Sequence, residues 1–182
     1  MDSANIRISF LPPSRSGDDE CVAVITDLVN VVYAAAEEGL WIEGTERTSP
    51  AQVASIIAAG ELVAARAGDE LAGVARLRRL PTGEGELGML VAHPARRGAG
   101  VGRDLMAYAE GWAGAQGIET MRLELLFPQA WTHPVKQFLY DWYTRIGYRV
   151  VGKGDLADEY PDLVPRLATP CDFLVFRKEL VS

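Results

Sequence analysis

The sequence contains few of the residues that bind metals or form disulfides: two cysteines, Cys21 and Cys171, and two histidines, His93 and His133. The two thiols lie far apart in the sequence, which argues against a disulfide framework or a thiolate metal site. Two histidines in addition do not supply enough ligands for a structural zinc site. We therefore expect a protein that holds no metal.

Positive charge and long apolar runs are also scarce. The 18 lysines and arginines are outnumbered by 25 aspartates and glutamates, and the formal net charge of -7 repels phosphate backbones and anionic lipids. No apolar run approaches the ~18 residues of a membrane span. The N-terminal MDSANIRISF lacks a basic segment followed by an apolar one. We expect a cytoplasmic protein with neither nucleic acid nor membrane as its partner.

The overall amino-acid composition is typical of one soluble domain. Hydrophobic residues make up 48% of the 182 residues and charged residues 24%, so we expect a single domain over residues 1–182. Periodicity predicts, in chain order, a strand, two helices, three or four strands, a helix, a strand, a helix and two strands. Such an order describes an α/β or α+β layer fold around one mixed sheet.

Local signals predict individual elements of this order. Apolar residues between 22 and 32 recur at helical spacing, although their many β-branched side chains leave a strand as the alternative. Ser49 followed by Pro50 predicts the start of the second helix. Gly68-Asp69 predicts a hairpin turn between two strands.

The last long helix is predicted to begin at Pro134, with Thr132 or His133 as its cap, and to end at Gly147. Its apolar residues define one stripe that we expect to be buried, made up of Val135, Phe138, Leu139, Trp142 and Ile146. Tyr143 lies off this stripe.

The stretch RRGAGVG, residues 96–102, follows a predicted strand and opens a helix. Free N–H groups at a helix start and the helix dipole favour a phosphorylated ligand, and Arg96, Arg97 and Arg103 would offset its charge. A nucleotide P-loop is excluded, because Gly102 is followed by Arg103 rather than by Lys and then Ser or Thr. The dinucleotide fingerprint also fails, since the third glycine position, counted from Gly98 and Gly100, is Arg103.

The segment LVAHPARRGAGVGRDLM, residues 90–106, resembles the acetyl-CoA-binding motif of the GNAT superfamily, the Gcn5-related N-acetyltransferases. In that motif, Gln or Arg is followed after two residues by Gly, one residue, and Gly or Ala, as in Arg97, Gly100 and Gly102. A second family feature is matched by YTRIGY, residues 143–148. The order of elements from Ile6 to Leu180 also fits the family.

The resemblance implies a central, mostly antiparallel, twisted mixed sheet of about six or seven strands with helices on both faces. It also implies acetyl-CoA as co-substrate, with the main chain of Leu90, Val91 and Ala92 bonding the pantetheine arm. The pyrophosphate would lie against the loop Arg97, Gly98, Ala99, Gly100, Val101, Gly102 and Arg103. Lys136 occupies the position of the family's frequent asparagine, and we expect it to meet a CoA phosphate or to be solvated.

Two residues are candidates for the chemistry, because an attacking amine must lose a proton and the leaving CoA thiolate gains one. Glu86 lies at the start of the strand that leads to Ala92, where many family members carry a glutamate that works through water. Tyr143 matches the family's acid. A solvated carboxylate and a half-buried tyrosine are the structural alternatives. Glu84 and Tyr140 are substitutes for the two roles.

The acceptor site in this family is bounded by segments that correspond here to EEGLWIEGTERTS, residues 37–49, and GDLADEYPDLVPRL, residues 154–167. Both are acidic, which predicts a negative rim that attracts an amine, with Trp41 or Tyr160 as an apolar or cation-attracting wall. Solvated loop charges are the alternative. We expect an N-acetyltransferase acting on a primary amine of a small molecule or peptide by direct attack in a ternary complex.

Other functions stay open at this point. A non-catalytic acyl-CoA sensor on the same scaffold is the alternative to the enzyme, and transfer of a longer acyl group or transfer to a hydroxyl is a third hypothesis. Edge strands near the C-terminal end would allow a homodimer.

Overall fold

The computed structural model describes residues 5–181 of the chain. The first four residues and the last one of the predicted 1–182 domain lie outside these described residues. Seven strands are present: β1 Ile6–Phe10, β2 Leu62–Ala67, β3 Glu70–Arg79, β4 Gly85–Ala92, β5 Thr120–Pro128, β6 Arg149–Gly154 and β7 Cys171–Glu179. The α-helices are α1 Asp19–Ala36, α2 Pro50–Ala58, α3 Val101–Ala115, α4 Pro134–Arg145 and the short α5 Leu156–Glu159.

All seven strands form one sheet in the order β1-β2-β3-β4-β5-β7-β6. Every neighbouring pair is antiparallel except β4 and β5, which are parallel. The mixed, mostly antiparallel sheet with helices on both faces confirms the predicted fold class. The strands at the two edges are β1 and β6, and β6 exposes Val150 and Val151.

The helices cover the sheet on both faces because each has one apolar side. Buried side chains of α1 and α2, such as Ile25 and Ile57, pack on one face together with Val74 and Val91. Buried side chains of α3, such as Leu105, pack on the other face against β5 and β7. The regular helix of α1 shows that the strand alternative for residues 22–32 was wrong.

Caps and turns follow the sequence signals closely. Ser49 and Gln52 form a reciprocal capping box at the start of α2. Gly68 and Asp69 lie between β2 and β3 as predicted. His133 caps α4, where its side chain accepts a hydrogen bond from the backbone N–H of Lys136.

The predicted buried stripe of α4 is wrong in part. Phe138 is 62% exposed, whereas the fully buried positions of this helix are Lys136 and Tyr143. The reason is that α4 turns these two side chains toward a cavity in the sheet, while Leu139, Trp142 and Ile146 reach the core only partly. The apolar stripe therefore identified three residues that pack against the core but missed the two most buried positions of this helix.

Of the helices within residues 5–181, none combines the length and the apolar character that crossing a membrane requires.

Candidate active site

The strands β4 and β5 pair only at their beginnings. Gly85 lies opposite Met121 and Glu86 opposite Arg122, and no further pair follows among the described residues. Beyond Glu86 the two strands diverge, and from Leu87 to Ala92 strand β4 has β3 as its only strand neighbour. The divergence opens a cavity of about 130 Å³ in the middle of the sheet, lined by both strands and by α4.

A β-bulge lies in β4 beside this gap. Val74 pairs with Val91 and Arg76 with Gly88, so β4 carries one residue more than β3 across this interval. The extra residue is accommodated at Met89, which has a φ of 49°. In the part of the chain that the structure describes, this is the one positive φ at a residue other than glycine. Bulges bend a strand and redirect its side chains, and they are frequent next to active sites. Leu90, Val91 and Ala92 directly follow this bend.

The glycine loop lies beyond the end of β4. Gly98 and Gly100 both have a φ of 82°, a conformation that side chains disfavour, and Gly100 is the N-terminal cap residue of α3. The first turn of α3 packs tightly on the sheet: a Cβ atom at Gly73 would lie 2.5 Å from the carbonyl oxygen of Val91 and 2.8 Å from Val101 Cγ1. The loop and the helix start are thereby fixed next to the open edge of β4.

The arginines near this loop have different partners. The guanidinium group of Arg103 lies over Gly100, and its Nε is 3.3 Å from Oδ1 of the neighbouring Asp104. Arg96 does not turn toward the loop, because its Nη2 lies 2.6 Å from Glu70 Oε2 on β3. Arg96 thus forms an ion pair within the protein, and its expected contact with a phosphate stays a prediction.

Glu86 is buried where β4 and β5 separate. Its Oε1 accepts a hydrogen bond of 2.8 Å from Arg78 Nε, and its Oε2 lies 3.9 Å from Arg122 Nε, too far for a hydrogen bond. The side chain borders the cavity, as the sequence predicted, but as a member of an ion-pair network rather than as a solvated carboxylate. Glu84, the proposed substitute, lies elsewhere and pairs with Arg177 at 2.8 Å.

Two further carboxylates approach Glu86. Oxygens of Glu86, Glu124 and Glu159 lie within 4.8 Å of one another, a spacing that a metal ion also requires. Arg78 contacts Glu86 and Glu159, and Arg122 contacts Glu124, so two guanidinium groups already serve as the counter-charges of this cluster. Burial is the main reason why the pKa of Glu124 is raised.

Tyr143 borders the same cavity from α4. Its ring packs against Phe176 and Tyr148 at centroid distances of 5.6 Å and 6.3 Å. Burial raises the pKa of its phenol above the ordinary value, which keeps the group protonated at neutral pH. Tyr140 packs instead between Phe127 and Phe176 and does not border this cavity.

A buried charge cluster, formed by Glu37, Arg47 and Lys136, closes the other side of the cavity. Lys136 Nζ lies 2.7 Å from Glu37 Oε1, and Arg47 Nε lies 2.8 Å from Glu37 Oε2. Burial opposes ionisation of Glu37, but Lys136 and Arg47 outweigh it and hold its pKa below the usual range. The expectation that Lys136 is solvated is therefore wrong, and its contact with a CoA phosphate stays a prediction.

This cluster also corrects the predicted acidic rim. Glu37 is 3% exposed and neutralised within the protein, whereas Glu43, Glu46, Asp158 and Asp162 are indeed exposed. Trp41 and Tyr160 do flank a cation, but that cation is Arg47 of this chain. Arg47 was missed because an arginine in an acidic loop gives no signal of burial.

A second cavity of about 260 Å³ adjoins the first. It is lined by residues of α1, α2, β3 and β4 and by the end of α5. The two cavities share Tyr33, Arg47, Glu86, Gly88, Met89, Glu159 and Tyr160. The two segments expected to bound an acceptor site, residues 37–49 and 154–167, both contribute to it. The structure thus brings the predicted residues Glu86 and Tyr143 and part of the β4 edge to one cleft, and the glycine loop follows the end of β4.

A sequence model of the acetyltransferase (GNAT) family matches residues 31–152. No curated protein sequence matches the chain. The fold is similar to that of the PaiA N-acetyltransferase from Thermoplasma acidophilum in complex with coenzyme A, with a TM-score of 0.65 and 19% identity over 96% of this chain and 99% of that one.

Two further solved structures share this fold. One is an aminoglycoside 6'-N-acetyltransferase complexed with coenzyme A, with a TM-score of 0.65 and 20% identity over 97% of this chain and 98% of that one. The other is N-acetylglutamate synthase from Neisseria gonorrhoeae, with a TM-score of 0.65 and 17% identity over 98% of this chain but 36% of that one. At such identities these similarities establish the fold alone.

Proposed function

Because the chain belongs to the GNAT acetyltransferase family and is therefore an acetyltransferase, we propose that it transfers the acetyl group of acetyl-CoA to a primary amine of a small molecule or peptide. The amine attacks directly while both substrates are bound. The observation that carries this proposal is the gap between β4 and β5, which has the glycine loop beyond one end and Glu86 and Tyr143 beside it.

The residues around the gap fit a CoA ester. Within residues 5–181, the main chain of Leu90, Val91 and Ala92 has no strand partner on the β5 side, so those of its polar groups that face this side are available to amide groups of a pantetheine arm. The loop from Arg97 to Arg103 offers N–H groups at the start of α3, which favour a diphosphate. Acetyl-CoA supplies the activated thioester, and the protein positions it against the acceptor.

Proton transfer is assigned to the two predicted side chains. A nitrogen–carbon bond forms as the carbon–sulfur bond breaks, and the electron pair of that bond passes to the sulfur. Glu86 accepts the proton that the amine nitrogen loses, directly or through water, with Oε2 as the oxygen that is free of a close hydrogen bond from Arg78 or Arg122. Tyr143, protonated at neutral pH, donates a proton to the departing thiolate.

The experiment that tests this proposal is a thiol-release assay with acetyl-CoA and a panel of primary amines, run together with calorimetric titration of CoA. We expect CoA to bind and to be released from acetyl-CoA in the presence of at least one amine, with the N-acetylated product identified by mass. CoA binding without release under any amine would overturn the enzymatic proposal in favour of an acyl-CoA sensor. Release with hydroxyl acceptors alone would overturn the choice of an amine.

A further inference from the structure

Arg47 lies in the loop between α1 and α2, at the boundary shared by the two cavities. Its guanidinium carbon is 4.7 Å from the ring centroid of Tyr33, 5.1 Å from that of Trp41 and 5.5 Å from that of Tyr160. Aromatic faces attract a cation at such distances. The three rings therefore hold the guanidinium at a fixed place in the cleft.

The charges around Arg47 do not balance. Glu37 is a single carboxylate, whereas Arg47 and Lys136 both pair with it. The side chains of Arg47, Lys136 and Glu37 are 14%, 5% and 1% exposed, so solvent does little to stabilise them. Two cations against one anion leave one positive charge in excess at this end of the cleft, and a buried charge without a partner is costly.

Arg47 also has hydrogen-bonding capacity that the protein does not use. Its Nε is buried and, despite its proximity to Glu37, has no aligned acceptor among the described residues. Within residues 5–181 no protein acceptor is hydrogen-bonded to its two Nη groups either. A guanidinium fork presents parallel donors that match the two oxygens of a carboxylate.

A second group of side chains that lines the cleft has more carboxylates than cations. Glu86, Glu124 and Glu159 converge there, and Arg78 and Arg122 provide two cations for these three carboxylates. Glu86 and Glu159 border both cavities together with Arg47. The cleft thus holds one group of side chains with an excess of positive charge and another with an excess of carboxylates.

We propose that the acceptor is a small zwitterion, an α-amino acid or a close analogue, whose carboxylate binds Arg47 while its amine lies next to Glu86. This inference rests on the proposed function and names its substrate class. A monoanionic carboxylate matches the single positive charge in excess, and the combined size of the two cavities suits a small molecule. Arg47 acts as a specificity-determining residue, since an acceptor without a carboxylate leaves its charge and donors unpaired.

The test compares each proteinogenic α-amino acid with its α-amide and with its decarboxylated amine in the thiol-release assay on the wild-type protein. We expect at least one amino acid whose kcat/KM exceeds those of both analogues by about 10-fold to 100-fold. Equal or faster turnover of the amides or amines overturns this inference and leaves the proposed function standing. Absence of release with all three series, while CoA still binds, overturns this inference, whereas the proposed function falls only if the wider panel of primary amines also gives no release.

The variant Arg47→Gln separates specificity from general activity. It is expected to lower the ratio of kcat/KM for the amino acid to kcat/KM for its amide by about 10-fold or more, mainly through the KM of the amino acid. The matched control is Arg145→Gln, which removes an exposed arginine at the end of α4 and should change neither value. Equal losses for acid and amide would overturn the inference. Should Arg47→Gln fail to fold, the wild-type comparison decides the question by itself.

Discussion

Lys136 of α4 and Glu37, the residue that ends α1, form a buried ion pair of 2.7 Å, with side chains that are 5% and 1% exposed. The pair joins a helix on one side of the gap in the sheet to a helix on the other. Arg47 and the indole N–H of Trp41 complete the surroundings of the same carboxylate. The same group of side chains therefore contributes to stability and includes Arg47, the residue that we propose as the contact of the acceptor.

Replacement of Lys136 by Met is expected to destabilise the protein by about 2 kcal/mol, because Glu37 loses a buried charge-assisted hydrogen bond but keeps Arg47 as its counter-charge. Urea unfolding measures the change. The matched control is Lys153→Met, which breaks the 3.1 Å pair with Asp172 and whose side chain is 65% exposed. That exposed pair should contribute about 0–1 kcal/mol. Similar losses for both variants would contradict the ion-pair account.

The pH dependence of stability should contain a contribution from Glu37. Its pKa is lowered in the folded protein from the ordinary 4.5, so its contribution is complete above that value and is lost as the pH falls through the lowered pKa. Glu37→Gln should be less stable than wild type at about pH 7 and should lose less stability on acidification to about pH 4. Urea titrations at several pH values measure both effects. The exposed Glu43→Gln is the control, and it should follow the wild-type curve.

Glu86→Gln is expected to lower kcat by about 100-fold and to leave CoA affinity unchanged, because it removes the assigned base but not the cofactor contacts. Glu124→Gln is the matched variant: it removes a carboxylate from the same cluster that borders only the first of the two cavities. We expect a smaller loss from it. A larger loss in Glu124→Gln would transfer the role of base to that residue.

Tyr143→Phe tests the assigned acid. The structure records no hydrogen bond from its hydroxyl to residues 5–181, so removing the oxygen should leave stability nearly unchanged while kcat falls by about 100-fold. Steady-state kinetics and calorimetric CoA binding separate the two effects. Tyr140→Phe is the control, since Tyr140 does not border the cavity. Normal turnover in Tyr143→Phe would exclude this phenol as the proton donor.

Gly100→Ala should weaken CoA binding, since an alanine at a φ of 82° costs about 1–2 kcal/mol and shifts Arg103, whose Nη2 would lie 2.7 Å from the new Cβ. We expect an affinity loss of about 10-fold by calorimetry. In the same helix, Gly111 has ordinary backbone angles and open space around its Cβ position. Gly111→Ala should therefore raise stability by about 0.5–1 kcal/mol without an effect on CoA. Unchanged affinity in Gly100→Ala would contradict the assignment of the loop.

The parts of the fold that depend on local rules were predictable. The capping box at Ser49, the hairpin at Gly68 and the element order all follow from interactions between residues close in sequence. The position of Glu86 beside a cleft was also predictable, because the family resemblance places the following strand. Local patterns cannot report the divergence of β4 from β5, which depends on how distant segments pack.

The same limit explains the errors. Lys136 and Glu37 are separated by nearly a hundred residues, and each alone resembles an ordinary surface charge. Phe138 matched the helical stripe but lies on the outer side of α4, because that helix turns its polar residues toward a cavity. Periodicity assumes that the buried side of a helix is apolar, and a helix that lines a cleft breaks this assumption.

Because β4 diverges from β5, the sheet contains an internal strand edge. The main-chain donors and acceptors of β4 that face β5 have no strand partner there, and they can bind an extended chain of amide groups. A pantetheine arm that binds along this edge would take the place of the missing strand and would complete the hydrogen bonding of the sheet from within.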